Sequence, residues 1–324
     1  MRVVSLFCGA GGLDLGFKKA GHEIIWSNDF DKDSVETYRK NIGAHVVHDD
    51  ISNISVVDIP ECDIVIGGFP CQGFSVANMN RHVADSRNQL YLQLLKVITY
   101  KQPKFFLAEN VKGLMSLGKG EILKMILKDF TEAGYRVSYK VLNAADFGVP
   151  QKRERLFIIG VRNDVNDKIE FPNPTHAPLE KADALGLLPW VSVGKALENI
   201  PEPESDHNLS NHTYSKFKLK FNGYLGNRHI NPDLPSPTVT ARGDTKGGVV
   251  VLHHPRNHRR MSVRELAIVQ SFPLDFVFHC NQSSAYRLIG NAVSPKLAEI
   301  IGNQFPKSTG AANGRKSRGT TKTD

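Results

Sequence analysis

Arg2-Val3-Val4-Ser5-Leu6-Phe7-Cys8-Gly9-Ala10-Gly11-Gly12-Leu13-Asp14 decides how this chain folds. An apolar, β-branched run at 3–7 leads straight into a glycine-rich turn, and the turn opens a helix. Glycines at that junction let a ligand approach both the backbone and the helix N-terminus. Outward from this start, further strand-like runs lie at 23–27, 44–47, 63–66, 104–108, 136–142 and 156–161. Helical patterns separate them. Leu90, Leu94, Val97 and Ile98 share one face, as do Ile122, Met125, Ile126 and Ala133, with Gly134 as a C-terminal cap. Strands alternating with helices predict an α/β fold with a parallel sheet and crossover helices.

The texture changes after Arg162. Residues 171–260 are rich in Pro, Asn, Gly and His, with short strand-like pieces such as 248–252, and predict a second, irregular domain. Regular helices then return. Ser262-Val263-Arg264-Glu265 has the form of a capping box, with Met261 and Leu266 as its hydrophobic staple. Ser294-Pro295 sets a capping serine before a proline, and Leu297, Ile300 and Ile301 follow on one face. The expected division is 1–176 with 287–306 as one domain, 177–286 as the second, and 307–324 as a disordered basic tail.

The chain has 324 residues, 40% of them hydrophobic and 23% charged, the mix of a globular protein with a sizeable core. No apolar run approaches the roughly 20 residues that cross a bilayer, and the first residues read as a strand, so neither membrane insertion nor export is expected. The four cysteines, Cys8, Cys62, Cys71 and Cys280, form no Cys-x-x-Cys pair. This argues against disulfides and a sulfur-ligated zinc site, and suits a reducing cytoplasm; no metal is expected. The net charge of +8 is unevenly spread. Residues 207–264 carry a net +8 with six histidines, the tail from 307 carries +4, and the remainder is −4. A polyanionic partner such as nucleic acid accounts for this distribution, and so does a solvated basic face.

Acidic residues follow the second and third strands. Asp29 stands where a carboxylate accepts from ribose hydroxyls, and Asp50 where an adenine ring would lie. The glycine spacing is not Gly-x-Gly-x-x-Gly, which disfavours a dinucleotide. Gly67-Gly68-Phe69-Pro70-Cys71-Gln72-Gly73-Phe74-Ser75 then puts a cysteine at the carboxyl end of a central strand, in the crevice where α/β sheets bind ligands. Free cysteines are usually buried and inert, which is the reading for Cys62, Cys8 and Cys280. The neighbours of Cys71 point the other way. Glu109, in Ala108-Glu109-Asn110-Val111, ends the adjacent strand. Gln151-Lys152-Arg153-Glu154-Arg155 enters another, and strand alternation puts Arg153 and Arg155 on one face. An ordinary surface charge cluster is the alternative for these five.

Together the motifs resemble the DNA cytosine-5 methyltransferases. Phe7-x-Gly-x-Gly-Gly, Asn28-Asp29, Asp50-Ile51, Gly68-Phe69-Pro70-Cys71-Gln72, Glu109-Asn110-Val111, Gln151 to Arg155, Arg264-Glu265-Leu266-Ala267 with Gln270-Ser271-Phe272-Pro273, and Gly290-Asn291-Ala292-Val293 stand in the family's order. The resemblance implies a Rossmann-like, S-adenosylmethionine-dependent methyltransferase fold with a smaller target-recognition domain. It implies Cys71 as the nucleophile that adds to cytosine carbon 6, Glu109 at N3 and the exocyclic amine, Arg155 at O2, and Arg153 in support of the same pocket. Its cofactor positions are Phe7, Ala10, Gly12, Asp29, Phe30, Asp50, Ile51, Gly68, Pro70, Leu90, Asn291 and Val293. Asp29 stands where the family commonly has glutamate, which keeps the carboxylate but shortens its reach.

The same resemblance implies double-stranded DNA as partner, with the target base rotated out of the helix. The loop 75–87, with Ser75 and Arg87, is then expected to close over the DNA. Thr238 belongs to a Thr-hydrophobic recognition signature, and Arg228, Arg242 and Lys246 are candidate donors to guanine edges. A compact, monomeric, cytoplasmic enzyme of a prokaryotic or viral restriction-modification system is expected, acting at the nucleoid, with its endonuclease a genetic partner. Two alternatives are the family's tRNA-methylating branch and a non-catalytic DNA-binding module. The first usually has a second proline where this chain has Phe69, and the second requires neither Cys71 nor Glu109. A nicotinamide dehydrogenase leaves the Pro-Cys-Gln segment unexplained, and an amino-methylating enzyme has a different motif at 68–71.

Overall fold

Short apolar runs in the central strands, with successive side chains on opposite faces, build a sheet with two buried faces. The computed structural model describes residues 1–69, 89–216, 221, 223, 228–241 and 251–307. Strands β1 (Arg2–Leu6), β2 (Glu23–Asp29), β3 (Val46–His48), β4 (Ile64–Gly68), β5 (Phe105–Val111), β6 (Tyr135–Asn143) and β7 (Glu154–Arg162) form a seven-stranded sheet in the order β3-β2-β1-β4-β5-β7-β6. Helices α1 (Gly12–Lys19), α2 (Lys32–Asn41), α3 (Gln89–Lys101) and α4 (Glu121–Glu132) connect the early strands. All seven expected strands are present. One expectation fails, because β7 runs antiparallel to both β5 and β6. The reason is the short 144–153 connection, which returns the chain as a hairpin, whereas a parallel neighbour needs a longer crossover.

Beyond the sheet come β8 (His176–Ala177), α5 (Leu179–Leu185), β9 (Leu188–Pro189), α6 (Val193–Ala196), α7 (Val263–Val269), α8 (Gln282–Asn291) and α9 (Pro295–Gly302). The described residues between β7 and α7 are mostly irregular, as the composition implies. Of the strand-like piece at 248–252, Val251 and Leu252 are not in a strand and the rest lies outside the described residues, as do residues 308–324 of the tail.

Val4, Val65 and Phe106 face α3 and α4, meeting Leu94, Ile98, Ile126 and Phe130. Val3, Ile64 and Phe105 face the other way, toward Leu13 and Phe17 of α1 and Leu297 and Ile301 of α9. A third apolar cluster ties Ala10, Val35 and Tyr38 to Val193, Val239, Leu266 and Ile289. The expected domain border at 286–287 falls inside α8, whose apolar side packs into that cluster.

Local signals act as anticipated. Ser262 accepts from the Glu265 amide while the Glu265 carboxylate accepts from the Ser262 amide, completing the capping box. Met261 and Leu266 are both buried beside it. Arg259 donates twice to Glu265, at 2.9 and 2.7 Å, so α7 begins on a buried, fully paired carboxylate. Burial opposes ionisation of Glu265, yet Arg259 holds its pKa below the usual value. Ser294 caps α9, with Pro295 at the first helical position. Among the described residues, no helix is long and apolar enough to cross a membrane.

Candidate active site

The carboxyl ends of β1, β2, β4 and β5 open onto one cavity of about 430 Å³. Its near wall is the turn after β1. Gly9 there has φ +55°, and a Cβ on it would point into open space; Gly11 caps α1 in a left-handed conformation. Phe7, Gly12, Asp29, Phe30, Gly68, Asn291 and Val293 all line the cavity. Phe30 is 67% exposed, an aromatic side chain available to a ligand. Asp29 is buried and accepts from the Gly9 amide at 2.8 Å and the Asp31 amide at 2.9 Å. Burial raises its pKa, while those two amides favour the ionised form.

Four expected cofactor residues do not line this cavity. Ala10 is buried in the third apolar cluster and Ile51 beneath the sheet, and Leu90 packs on the same side as Ile51. Asp50 is exposed, and its carboxylate caps a short turn by accepting from the Ser52 amide and hydroxyl at 2.9 and 2.7 Å. Pro70, Cys71, Ser75, Arg87, Arg242 and Lys246 lie outside the described residues.

The far wall carries the ionisable groups. Pairing of β4 with β5 sets Gly68 beside Glu109, so near that a Cβ on Gly68 would lie 2.9 Å from Glu109 Oε2. Pairing of β5 with β7 brings in Arg155, whose Nε lies 3.1 Å from Glu109 Oε1. Burial raises the Glu109 pKa, and the positive charges of Arg155 and Arg153 pull against that. Asn110 donates from its amide to the Phe69 carbonyl at 2.9 Å. It therefore holds the main chain immediately before Pro70 and Cys71, a task its place in the Glu109-Asn110-Val111 motif did not reveal.

Arg153 departs from expectation. It precedes β7, so strand alternation does not apply to it, and its guanidinium turns from the cavity. It donates to the carbonyls of Val239, Gly290 and Ala292 at 2.8, 2.8 and 2.9 Å. Gln151 works beside it, bonding Gln270 and accepting from the Val239 amide at 2.9 Å. Thr238 spends its hydroxyl on the Lys152 carbonyl at 2.7 Å, and Arg228 is exposed. Asp14 and Arg287, also on the cavity wall, had no assigned role. Asp14 is fully buried and accepts from Ser5, Ser27 and Tyr38, and Arg287 bridges α8 to Asp31 at 3.0 Å. A polar residue on the apolar face of α1 was the available signal for Asp14.

A sheet with one antiparallel strand near its edge, a glycine turn after β1 and a carboxylate after β2 define the architecture of S-adenosylmethionine-dependent methyltransferases. The sequence matches the family described as C-5 cytosine-specific DNA methylase over residues 1–307, and the chain belongs to that family. It is thus an enzyme that methylates carbon 5 of cytosine in DNA. It is 40% identical to Type II methyltransferase M.NgoFVII of Neisseria gonorrhoeae, over 94% of this chain and 86% of the relative. Against Type II methyltransferase M.FnuDI of Fusobacterium nucleatum the identity is 38%, over 95% of each. A prophage-encoded protein (E. coli), whose structure is described as a DNA modification methyltransferase, superposes with a TM-score of 0.72 at 25% identity, over 94% of this chain and 98% of that one. The Dnmt2 methyltransferase of S. pombe shares the fold at 21% identity, with a TM-score of 0.68 over 93% and 97%.

Replacing Asn110 by Ala leaves the buried Phe69 carbonyl without its donor. The expected cost is about 1–3 kcal/mol of stability, with a fall in kcat, read by urea denaturation and steady-state methylation. Unchanged stability and turnover would remove Asn110 from the positioning role.

Proposed function

We propose that this enzyme uses S-adenosyl-L-methionine to methylate one cytosine within a specific sequence of double-stranded DNA, through a covalent bond between Cys71 and carbon 6 of a flipped-out base. The observation that carries this reading is a single cavity bounded by Asp29 and Phe30 at one end and by Glu109 and Arg155 at the other. The residues present suit the cofactor. Gly9 leaves room against the backbone, Phe30 offers a face to adenine, and Asp29 keeps unshared lone pairs for ribose hydroxyls. Ala10, Asp50, Ile51, Pro70 and Leu90 complete the proposed cofactor set, with Asp50 and Ile51 at the adenine edge.

Carbon 5 of cytosine is a poor nucleophile. Addition of the Cys71 thiolate to carbon 6 makes the ring enamine-like, so that carbon 5 can attack. When bound, S-adenosyl-L-methionine supplies an electrophilic methyl group next to that carbon. Glu109 accepts from the exocyclic amine and, protonated as the base binds, donates to N3 as charge develops. Arg155 holds O2. A base then removes the carbon 5 proton, and the thiolate leaves.

Residues 177–286 serve as the recognition region in this reading, with Arg228, Thr238, Arg242 and Lys246 toward the DNA and Ser75 and Arg87 on the closing loop. The Type II relatives support a restriction-modification role; a monomer in a prokaryotic cytoplasm, associated with the nucleoid through DNA and tied to its endonuclease genetically, is part of the same proposal. The likeness to Dnmt2 extends to the fold alone and gives no support to an RNA substrate.

DNA with 5-fluorocytosine at the target cannot lose its substituent at carbon 5. The enzyme is expected to be trapped on it as a denaturation-resistant complex when S-adenosyl-L-methionine is present, and Cys71→Ala to abolish both trapping and methylation. Peptide mapping that located the adduct on another cysteine would overturn the assignment. Cofactor binding and base chemistry are separable by titration. Asp29→Ala is expected to weaken S-adenosyl-L-methionine binding by about 1–3 kcal/mol. Glu109→Gln leaves that affinity unchanged and slows methyl transfer by about 10²-fold or more. Equal losses of cofactor affinity would contradict the division of roles.

A further inference from the structure

Three imidazoles converge away from the active site, in the segment with the excess positive charge. His229, His253 and His258 each bring one ring nitrogen to within 4.8 Å of the others. His253 is wholly buried, while His229 and His258 are exposed. Phe221 covers the group, stacking on His258 with ring centroids 4.7 Å apart and meeting His253 at 5.1 Å and His229 at 5.2 Å.

The buried ring carries the decisive observation. His253 Nδ1 donates to the His254 carbonyl at 2.7 Å, which puts the ring proton there and the free lone pair on Nε2. That Nε2 is buried and has no hydrogen-bond partner among the described residues. Native proteins rarely keep such an atom unsatisfied without a water, an ion or a chemical task. A carbonyl on the far nitrogen is also the usual outer contact that orients a metal-binding histidine.

We infer that His229, His253 and His258 bind a divalent transition-metal ion, Zn²⁺ in the cell, through three imidazole nitrogens, with a water in the outward fourth position. The donor chemistry selects the ion. All-imidazole sites suit borderline metals, whereas Mg²⁺ and Ca²⁺ require oxygen ligands, and among the described residues the cluster contains no carboxylate. His253 and His258 have the His-x₃₋₅-His spacing of structural zinc sites. Zn–N bonds of about 2.0–2.1 Å in a tetrahedron place the nitrogens roughly 3.4 Å apart, so the cluster must contract. The two exposed rings can do this by side-chain rotation while the buried ring stays fixed.

One neighbour opposes the ion. Arg260, which donates to the Val251 carbonyl at 2.7 Å, adds positive charge beside His253, so micromolar affinity is expected instead of the tighter binding of sulfur-rich sites. The missing Cys-x-x-Cys pair, which led to the expectation of no metal, bears only on sulfur ligation. The ion would clip the two ends of the stretch between His229 and His253, which carries Thr238, Arg242 and Lys246. It would act as a structural brace, remote from the methyl-transfer chemistry.

The test uses the full chain without an affinity tag, stripped by a chelator and titrated with Co²⁺, whose visible absorption distinguishes four- or five-coordinate from octahedral ions. One equivalent is expected to bind with a low-coordinate spectrum, to be displaced by Zn²⁺, and to raise Tm. His229→Ala and His258→Ala, at exposed positions, are each expected to weaken binding at least about tenfold and to abolish the Tm shift. Unchanged S-adenosyl-L-methionine affinity in the same samples reports that they are folded. His279→Ala, at an exposed histidine elsewhere, keeps both responses. Absence of stoichiometric binding, or Co²⁺ binding retained in both cluster variants, overturns the proposal.

Discussion

Glu109 and Arg155 meet at 3.1 Å on the cavity wall, with 11% and 14% of their side chains exposed, and much of the molecule is arranged around that contact. Neither charge is tolerable alone. Removing one partner of a buried pair typically costs about 3–5 kcal/mol, because the other is left uncompensated. Net stability is therefore not what the pair contributes; it fixes two polar side chains at a cavity wall in one geometry. The antiparallel entry of β7 makes the contact available. Val111 pairs with Arg155 across the strands, so the guanidinium arrives at the same sheet end as the carboxylate.

The corner before β7 extends this constraint to the rest of the chain. Arg153 holds carbonyls from residues 239, 290 and 292, and Gln151 with Gln270 forms a buried amide relay to the same region. Lys152 sits over the Trp190 ring at 4.9 Å, and Glu154 pairs with Lys112 at 2.9 Å. Five consecutive residues thus join the sheet, the irregular segment and the end of α8. The segment that carries Thr238 is thus tied to the chain two residues from Arg155.

The sequence revealed the strands because they are short apolar runs, buried on both faces of the sheet, and the helix starts because Ser262, Glu265 and Ser294 satisfy backbone groups locally. Strand direction is not a local property, and β7 reversed because a short connection returns the chain at once. At the site, Glu109 and Asp29 were legible from their positions at strand ends. Arg153 was misread because alternation was extended past the strand. Asn110, Asp14 and Arg287 act through partners 41, 9 and 256 residues away, at separations no local pattern records. The histidine cluster escaped for the same reason, since His229 joins the other two only through the fold.

The central claim is methylation at carbon 5 within a defined DNA sequence, and the most direct measurement is made on DNA from a host expressing the chain. Nucleoside mass spectrometry of the hydrolysed DNA identifies the product, and bisulfite sequencing locates it. The account predicts 5-methyl-2′-deoxycytidine at one recurrent sequence context, dependent on an intact Glu109. N4-methylcytosine in the DNA, or the methyl mark found in the host's tRNA with none in its DNA, would contradict it.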